Sequence, residues 1–143
     1  MLPVLLAAFA LVAATVVIHS VGLAALLRVL MRSRSRPPTR FWPITRLLIG
    51  LTCLLIVTHI IEITVWALFY LWQDCLPDAE SAFYFAGTTY TTIGYGDLVL
   101  PRPWRMLGPV QGLTGILMCG LSTGFFFAVV ARIYAGLPGS TES

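Results

Sequence analysis

Lysine is absent from this sequence, and charge of either sign is scarce. Of the 143 residues only 10% are charged, while 58% are hydrophobic. That leaves too little polar material to clothe a soluble domain of this length, so the composition belongs to the membrane class, with one domain. All nine basic residues are arginine, and six of them fall between positions 28 and 46. Such a cluster beside apolar runs reads as a topology signal, not as a nucleic-acid surface, despite a pI near 9.0. No nucleic-acid partner is expected. Also missing are a phosphate-binding loop, a nucleophile–base set and a repeat of solenoid length. Nothing therefore points to an enzyme or a repeat array. Cysteine is limited to Cys53, Cys75 and Cys119, with no CxxC spacing. Cys53 and Cys119 lie in apolar runs and read as inert packing. Cys75 lies near a membrane surface, as a free thiol or bridged to a second copy of itself.

What is present is a series of long apolar runs. Residues 2–30 open with 26 positions free of Arg, Lys, Asp and Glu. About 20 apolar residues cross a hydrocarbon core of about 30 Å. The run exceeds a signal-peptide core and lacks its basic leader, so it reads as a retained N-terminal span. Residues 31–42 form a strongly basic linker broken by Pro37-Pro38. Residues 43–73 make a second span, with Pro43 in its first turn and Trp66, Tyr70 and Trp72 collected near its end as an interfacial belt. An acidic loop with Asp74, Asp78 and Glu80 follows. Residues 79–91 are too few to cross as a helix and read as re-entrant. Residues 104–135 form the third span, and 136–143 a short tail. No segment reads as strand.

Directly after the short helix comes Thr91-Thr92-Ile93-Gly94-Tyr95-Gly96-Asp97. Non-helical backbone is tolerated at membrane depth only where protein buries it or where it lines a watery path. Gly94 and Gly96 accept left-handed angles at little cost. Alternating left- and right-handed residues turn successive carbonyls to one side. Thr92, Ile93, Gly94 and Tyr95 can then stack rings of oxygens along an axis, with the Thr92 hydroxyl as a further inner ring. Such rings replace the water shell of a dehydrated cation. One chain supplies one strand of such a structure, so four copies are required. The short helix would aim its negative end at the pore centre, where a cation is favoured.

These seven residues resemble the selectivity filter of the potassium channel pore family, with Ile93 in place of the commoner Val. Phe83-Tyr84-Phe85-Ala86-Gly87-Thr88 is similar to the pore helix of two-pore-domain potassium channels, and Trp104 falls where many bacterial channels begin the inner helix. The resemblance implies an all-α membrane protein: three transmembrane helices plus a re-entrant pore helix and selectivity filter, assembled as a homotetramer. The pore domain would span 43–135, with outer helix 43–73, pore helix 79–91, filter 92–96 and inner helix 104–135. The span at 2–30 lies outside the resemblance. Thr92, Ile93, Gly94, Tyr95 and Gly96 would form the filter, with K+ held at Thr92, Ile93, Gly94 and Tyr95. Tyr84 and Phe85 would be aromatics packed beside it, with Thr88, Thr91 and Asp97 as further support. Some bacterial members carry Glu where this chain has Thr88, so a carboxyl–carboxylate pair with Asp97 is absent here.

A filter at the outer face puts the basic linker inside and Asp74, Asp78, Glu80 and Asp97 outside, as the positive-inside rule does independently. The N-terminus is then outside, the C-terminus cytoplasmic, and the protein integral to the cell (inner) membrane. No span carries Arg at every third position, so voltage sensing of that type is not expected. The short tail leaves no room for a ligand-binding domain. Gly112, Gly115, Gly120 and Gly124 suit either bending or close helix packing. Thr114, Cys119, Ser122 and Thr123 are candidates for the cavity wall.

Three ionisable residues lie inside the spans. His59 and Glu62 share a helix face at i, i+3, and His19 reaches a similar depth if the first two spans are antiparallel. Charge there must pair or face protein. A structural polar clasp, a proton-sensitive switch and a metal site all fit these residue types. The expected function is passive conduction of K+ by a homotetramer. The permeant ion is the one ligand, no cofactor is implied, and the partners are three further copies and membrane lipid. The alternative is a non-conducting regulatory or binding subunit that keeps the channel fold.

Overall fold

The structure is a computed structural model that describes residues 1–32 and 41–135. Most of the basic linker at 31–42 and the tail at 136–143 lie outside the described residues. The chain is all-helical: α1 (Leu2–Arg32), α2 (Phe41–Trp72), α3 (Ala79–Tyr90) and α4 (Leu107–Ala135), with a 3-10 turn at Arg102–Trp104. Three stretches are long and apolar enough to cross a membrane: Leu2–Arg28, Phe41–Trp72 and Arg102–Ala135. With its 12 residues, α3 reaches only about 18 Å at 1.5 Å per residue.

Local chemistry sets the ends. Pro43 is tolerated in the first turn of α2, where its missing N–H would have no partner. The other end closes in a Schellman arrangement: Cys75 N–H donates to Tyr70 O and Asp74 N–H to Leu71 O, with Asp74 at φ 49° where glycine is more usual. Asp78 caps α3 by accepting from Ser81 N–H at 2.8 Å, and Glu80 adds negative charge to that first turn. The fourth helix begins at Leu107 rather than at the expected 104. Pro101 and Pro103 flank a tight 3-10 turn in which Trp104 N–H donates to Pro101 O. The Trp104 ring then meets Phe69 edge-on at 5.4 Å.

Successive contacts run in opposite directions along α1 and α2: Thr15 with Trp66, His19 with Glu62, and Gly22 with Thr58. The two helices are therefore antiparallel. Toward one end Leu11, Trp66, Tyr70, Phe85, Leu100 and Leu107 form the main apolar cluster. Toward the other, Leu26, Leu51 and Leu55 pack with Phe125, Phe126 and Val129 of α4. Trp66 and Tyr70, expected at a membrane interface, are instead fully buried, and only Trp72 is exposed. Their polar handles explain the difference. Trp66 Nε1–H donates to Thr15 Oγ1 at 3.0 Å, and the Tyr70 hydroxyl donates to Gln111 Oε1 at 2.9 Å. Both rings can thus sit in the core without an unsatisfied donor.

Cys75 is buried in the main cluster. Burial, helped by the neighbouring Asp74 charge, pushes its thiol above the ordinary range, which disfavours the reactive thiolate and a bridge to another copy.

Four of the glycines of α4 divide in two. A Cβ at Gly115 would lie 2.0 Å from Tyr90 O, and one at Gly112 3.4 Å from Thr89 O, so these two let α4 pass against the end of α3. Gly120 and Gly124 face open space within the subunit. Because the obstacle at Gly115 is backbone, Gly115→Ala is expected to destabilise the protein by at least the ~1–3 kcal/mol typical of overpacking. Thermal unfolding in detergent, beside Gly120→Ala as the tolerated control, checks this.

Candidate functional site

Two sites sit at opposite ends of one residue, Tyr90. The first is the backbone that leaves α3. Thr91 caps the helix, its N–H donating to Gly87 O, and Thr92 N–H donates to Thr89 O. The chain then doubles back, and Gly94 N–H donates to Thr88 O at 3.0 Å. Left-handed backbone falls at every second residue: Thr92 at φ 62°, Gly94 at 50° and Gly96 at 79°. Glycine adopts such angles freely, whereas a β-branched residue like Thr92 does so at a cost of about 1–3 kcal/mol. Among the described residues no N–H or O–H donates to the carbonyls of 92–96. Ile93 and Tyr95 are exposed, on an edge that this subunit does not cover.

Side chains brace the run from one flank. The Tyr84 ring stacks on Tyr95, with centroids 6.5 Å apart and planes 12° from parallel. The Tyr84 hydroxyl donates to Asp97 Oδ2 at 2.7 Å, and Leu98 N–H donates to Asp97 Oδ1. The Tyr84 bond holds the Asp97 carboxyl below the usual carboxylate range. Thr88 turns its hydroxyl back to Tyr84 O and Phe85 O, and Thr91 to Gly87 O, so both reinforce the helix end. Phe85, grouped with Tyr84 by the resemblance, faces away from the run, into the subunit. It is buried edge-on against Tyr70 at 5.4 Å, because successive residues of a helix point about 100° apart and Tyr84 already occupies the outer face. Behind α3, Gln111 Nε2–H donates to Ala86 O at 3.1 Å while its Oε1 serves Tyr70.

The second site lies at mid-length of the spans. His19 Nδ1 is 2.9 Å from Glu62 Oε1, and His59 Nδ1 is 3.1 Å from Glu62 Oε2. The two imidazoles lie 5.4 Å apart. Sequence reasoning brought these three together but missed two partners. The Tyr90 hydroxyl donates to Glu62 Oε2 in a short bond and is 2.9 Å from His59 Nδ1. Ser122 Oγ is 3.0 Å from His59 Nε2 and 3.5 Å from His19 Nε2. Ser122 and Thr114, expected on a cavity wall, are thus turned into the subunit, whereas Thr123 is exposed. A hydroxyl one turn from small residues in an apolar span was the available signal for Ser122. Tyr90 had none beyond its place at the end of α3. His19, His59 and Glu62 offer atoms within 4.8 Å of one another, close enough to share a metal ion. Each of those atoms already has a hydrogen-bond partner, however, and no buried side-chain polar atom among the described residues lacks one. The arrangement is that of a satisfied network.

A protein-family model described as "Ion channel" matches residues 54–132, more than half of the chain. The match takes in Glu62, the 92–96 run and Ser122, and leaves out α1. No curated protein and no solved structure gives a match.

Asp97 is exposed, and its lowered range has a defined sign. The Tyr84 bond contributes when Asp97 is ionised, above the ordinary value near 3.9, and is lost as pH falls through the lowered one. Tyr84→Phe is therefore expected to raise the Asp97 titration midpoint toward that ordinary value, read by carboxyl 13C NMR. An unmoved midpoint would detach Tyr84 from Asp97.

Proposed function

The chain belongs to the ion channel family, and from that premise we propose that it is one of four identical subunits of a potassium-selective channel. In this reading α3 is the re-entrant pore helix, 92–96 is one strand of the filter, and K+ is the species conducted. The observation that carries it is the backbone alternation at Thr92, Gly94 and Gly96. Left-handed residues at every second position turn neighbouring carbonyls to the same side, and among the described residues nothing donates to those of 92–96. A β-branched residue held at φ 62° is strain that needs a use, and holding a row of oxygens toward an axis supplies one.

The mechanism follows from this strand. Carbonyls of Thr92, Ile93, Gly94 and Tyr95, with the Thr92 hydroxyl, would take over the hydration shell of K+, four copies closing each ring. The uncovered edge supports the tetramer. Ile93 and Tyr95 are exposed, and Leu113, Ile116, Leu117, Gly120, Gly124 and Phe127 make an exposed helical stripe on α4. The C-terminal end of α3 presents its dipole beside Thr92, where a cation is favoured.

Orientation follows from charge. Arg28, Arg46 and Arg132 belong to helix ends on one side, while Asp74, Asp78, Glu80 and Asp97 lie on the other together with Arg102 and Arg105. The proposed filter would open toward the acidic side, taken as outside, with the N-terminus there and α4 ending in the cytoplasm. The membrane is taken as the cell membrane, with lipid against the exposed faces of α1 and α2.

The test is ion flux through the purified tetramer in liposomes. Potassium uptake that barium blocks is expected, with sodium far slower. Gly96→Ala forces a Cβ into left-handed backbone at about 1–2 kcal/mol, so it is expected to cut that uptake about tenfold or more. Sodium flux equal to potassium flux would overturn the selectivity. A tetramer that passes neither would leave a non-conducting subunit on the channel fold.

A further inference from the structure

The second site contains a proton count that its geometry restricts. Glu62 is completely buried and His19 nearly so. With Glu62 ionised, both of its oxygens accept: the Tyr90 hydroxyl donates to Oε2, and the Nδ1 atoms of His19 and His59 lie at Oε1 and Oε2. A lone pair on either Nδ1 would face a carboxylate oxygen and repel it. Both Nδ1 atoms therefore carry hydrogen. On the far side of the rings, both Nε2 atoms meet the single hydroxyl of Ser122. That hydroxyl has one hydrogen. It can donate to only one Nε2, and accepting from the other, which then carries hydrogen as well, leaves every ring nitrogen with a partner.

We infer that His19 and His59 hold one proton in common, as a single imidazolium opposite the Glu62 carboxylate, and that this proton keeps the proposed filter in its conducting form. The site is a binding site whose ligand is a proton. Two neutral rings would leave one uncompensated negative charge at mid-membrane, which costs several kcal/mol. With the shared proton the cluster is neutral, and each ring nitrogen has a partner. Every packed element contributes: His19 from α1, His59 and Glu62 from α2, Tyr90 from α3 and Ser122 from α4. The Cys119 thiol of α4 also lies near Glu62.

The link to conduction is Tyr90. Its hydroxyl is tied to Glu62, its carbonyl packs on Gly115, and two residues later the chain turns left-handed at Thr92. The hydrogen-bonded clasp and the alternating backbone occur together in this structure. Withdrawing the proton leaves Glu62 facing two neutral rings and loosens the anchor beneath the strand. Conduction is therefore expected to fall as pH rises.

This link rests on the channel reading, but the proton count does not. The chain has only two histidines, so 15N-histidine labelling of the full-length tetramer in lipid reports them alone. Solid-state NMR is expected to show three protonated ring nitrogens of the four at low pH, falling to two as the shared proton is withdrawn at higher pH. Potassium flux in liposomes is expected to drop about tenfold over the same step, the factor that corresponds to about one pK unit of coupling. In Glu62→Gln the shared proton has no counter-charge, so the rings are expected to be neutral throughout and any flux to be independent of pH. Two ring protons in the wild type at every pH, or a stoichiometric transition metal bound to the purified protein, would overturn the shared proton. Three ring protons with flux indifferent to their loss would overturn the coupling. The NMR count stands whether or not the tetramer conducts, so its failure is distinct from failure of the channel reading.

Discussion

A carboxylate at the middle of a membrane span must be matched within the protein, and the way Glu62 is matched organises this structure. Its oxygens face His19, His59 and Tyr90, and the histidines in turn share Ser122. Four helices thereby meet at one depth. The first helix, outside the family match, has little else to fix its register against α2 in a uniformly apolar surrounding. Hydrophobic contact between apolar helices in lipid is nearly indifferent to sliding. The His19–Glu62 contact, together with Thr15–Trp66 and the close approach of Gly22 to Thr58, removes that freedom.

From that centre the consequences run along α3. Tyr90 joins the cluster through its side chain and α4 through its carbonyl, so the end of the short helix is held on two sides. The strained backbone that follows depends on such support, because a left-handed threonine persists only where its surroundings over-determine it. Gln111, Thr88 and Thr91 fix the helix itself, while Tyr84 and Asp97 brace the far end of the run. The proposed conduction path is thus made of backbone that contributes little to its own stability and is kept in shape by side chains behind it. Gating, on this account, acts on the support and not on the strand.

Helix existence was legible in the sequence because it follows from length and apolarity alone. The left-handed backbone at Gly94 and Gly96 was legible because glycine is the residue that adopts it freely. The meeting of His19 with His59 and Glu62 likewise followed once the first two spans were taken as antiparallel. What sequence could not supply were contacts fixed by rotation of a helix about its axis. Trp66 and Tyr70 fit an interfacial belt as well as a core until Thr15 and Gln111 are seen to satisfy them. Ser122 fits a pore wall until α4 is turned so that it meets the histidines. Phe85 adjoins Tyr84 in sequence yet packs into the subunit. Nearly uniform hydrophobicity gives no moment by which such rotations can be read.

The central claim is that carbonyls of Thr92, Ile93, Gly94 and Tyr95 from four chains surround dehydrated potassium. A crystal structure of the tetramer grown with rubidium, a potassium-sized ion with a usable absorption edge, tests it most directly. The account predicts anomalous density on a fourfold axis, between successive rings of these carbonyls. Strands that do not meet on an axis, or an axis without rubidium at their level, would contradict it.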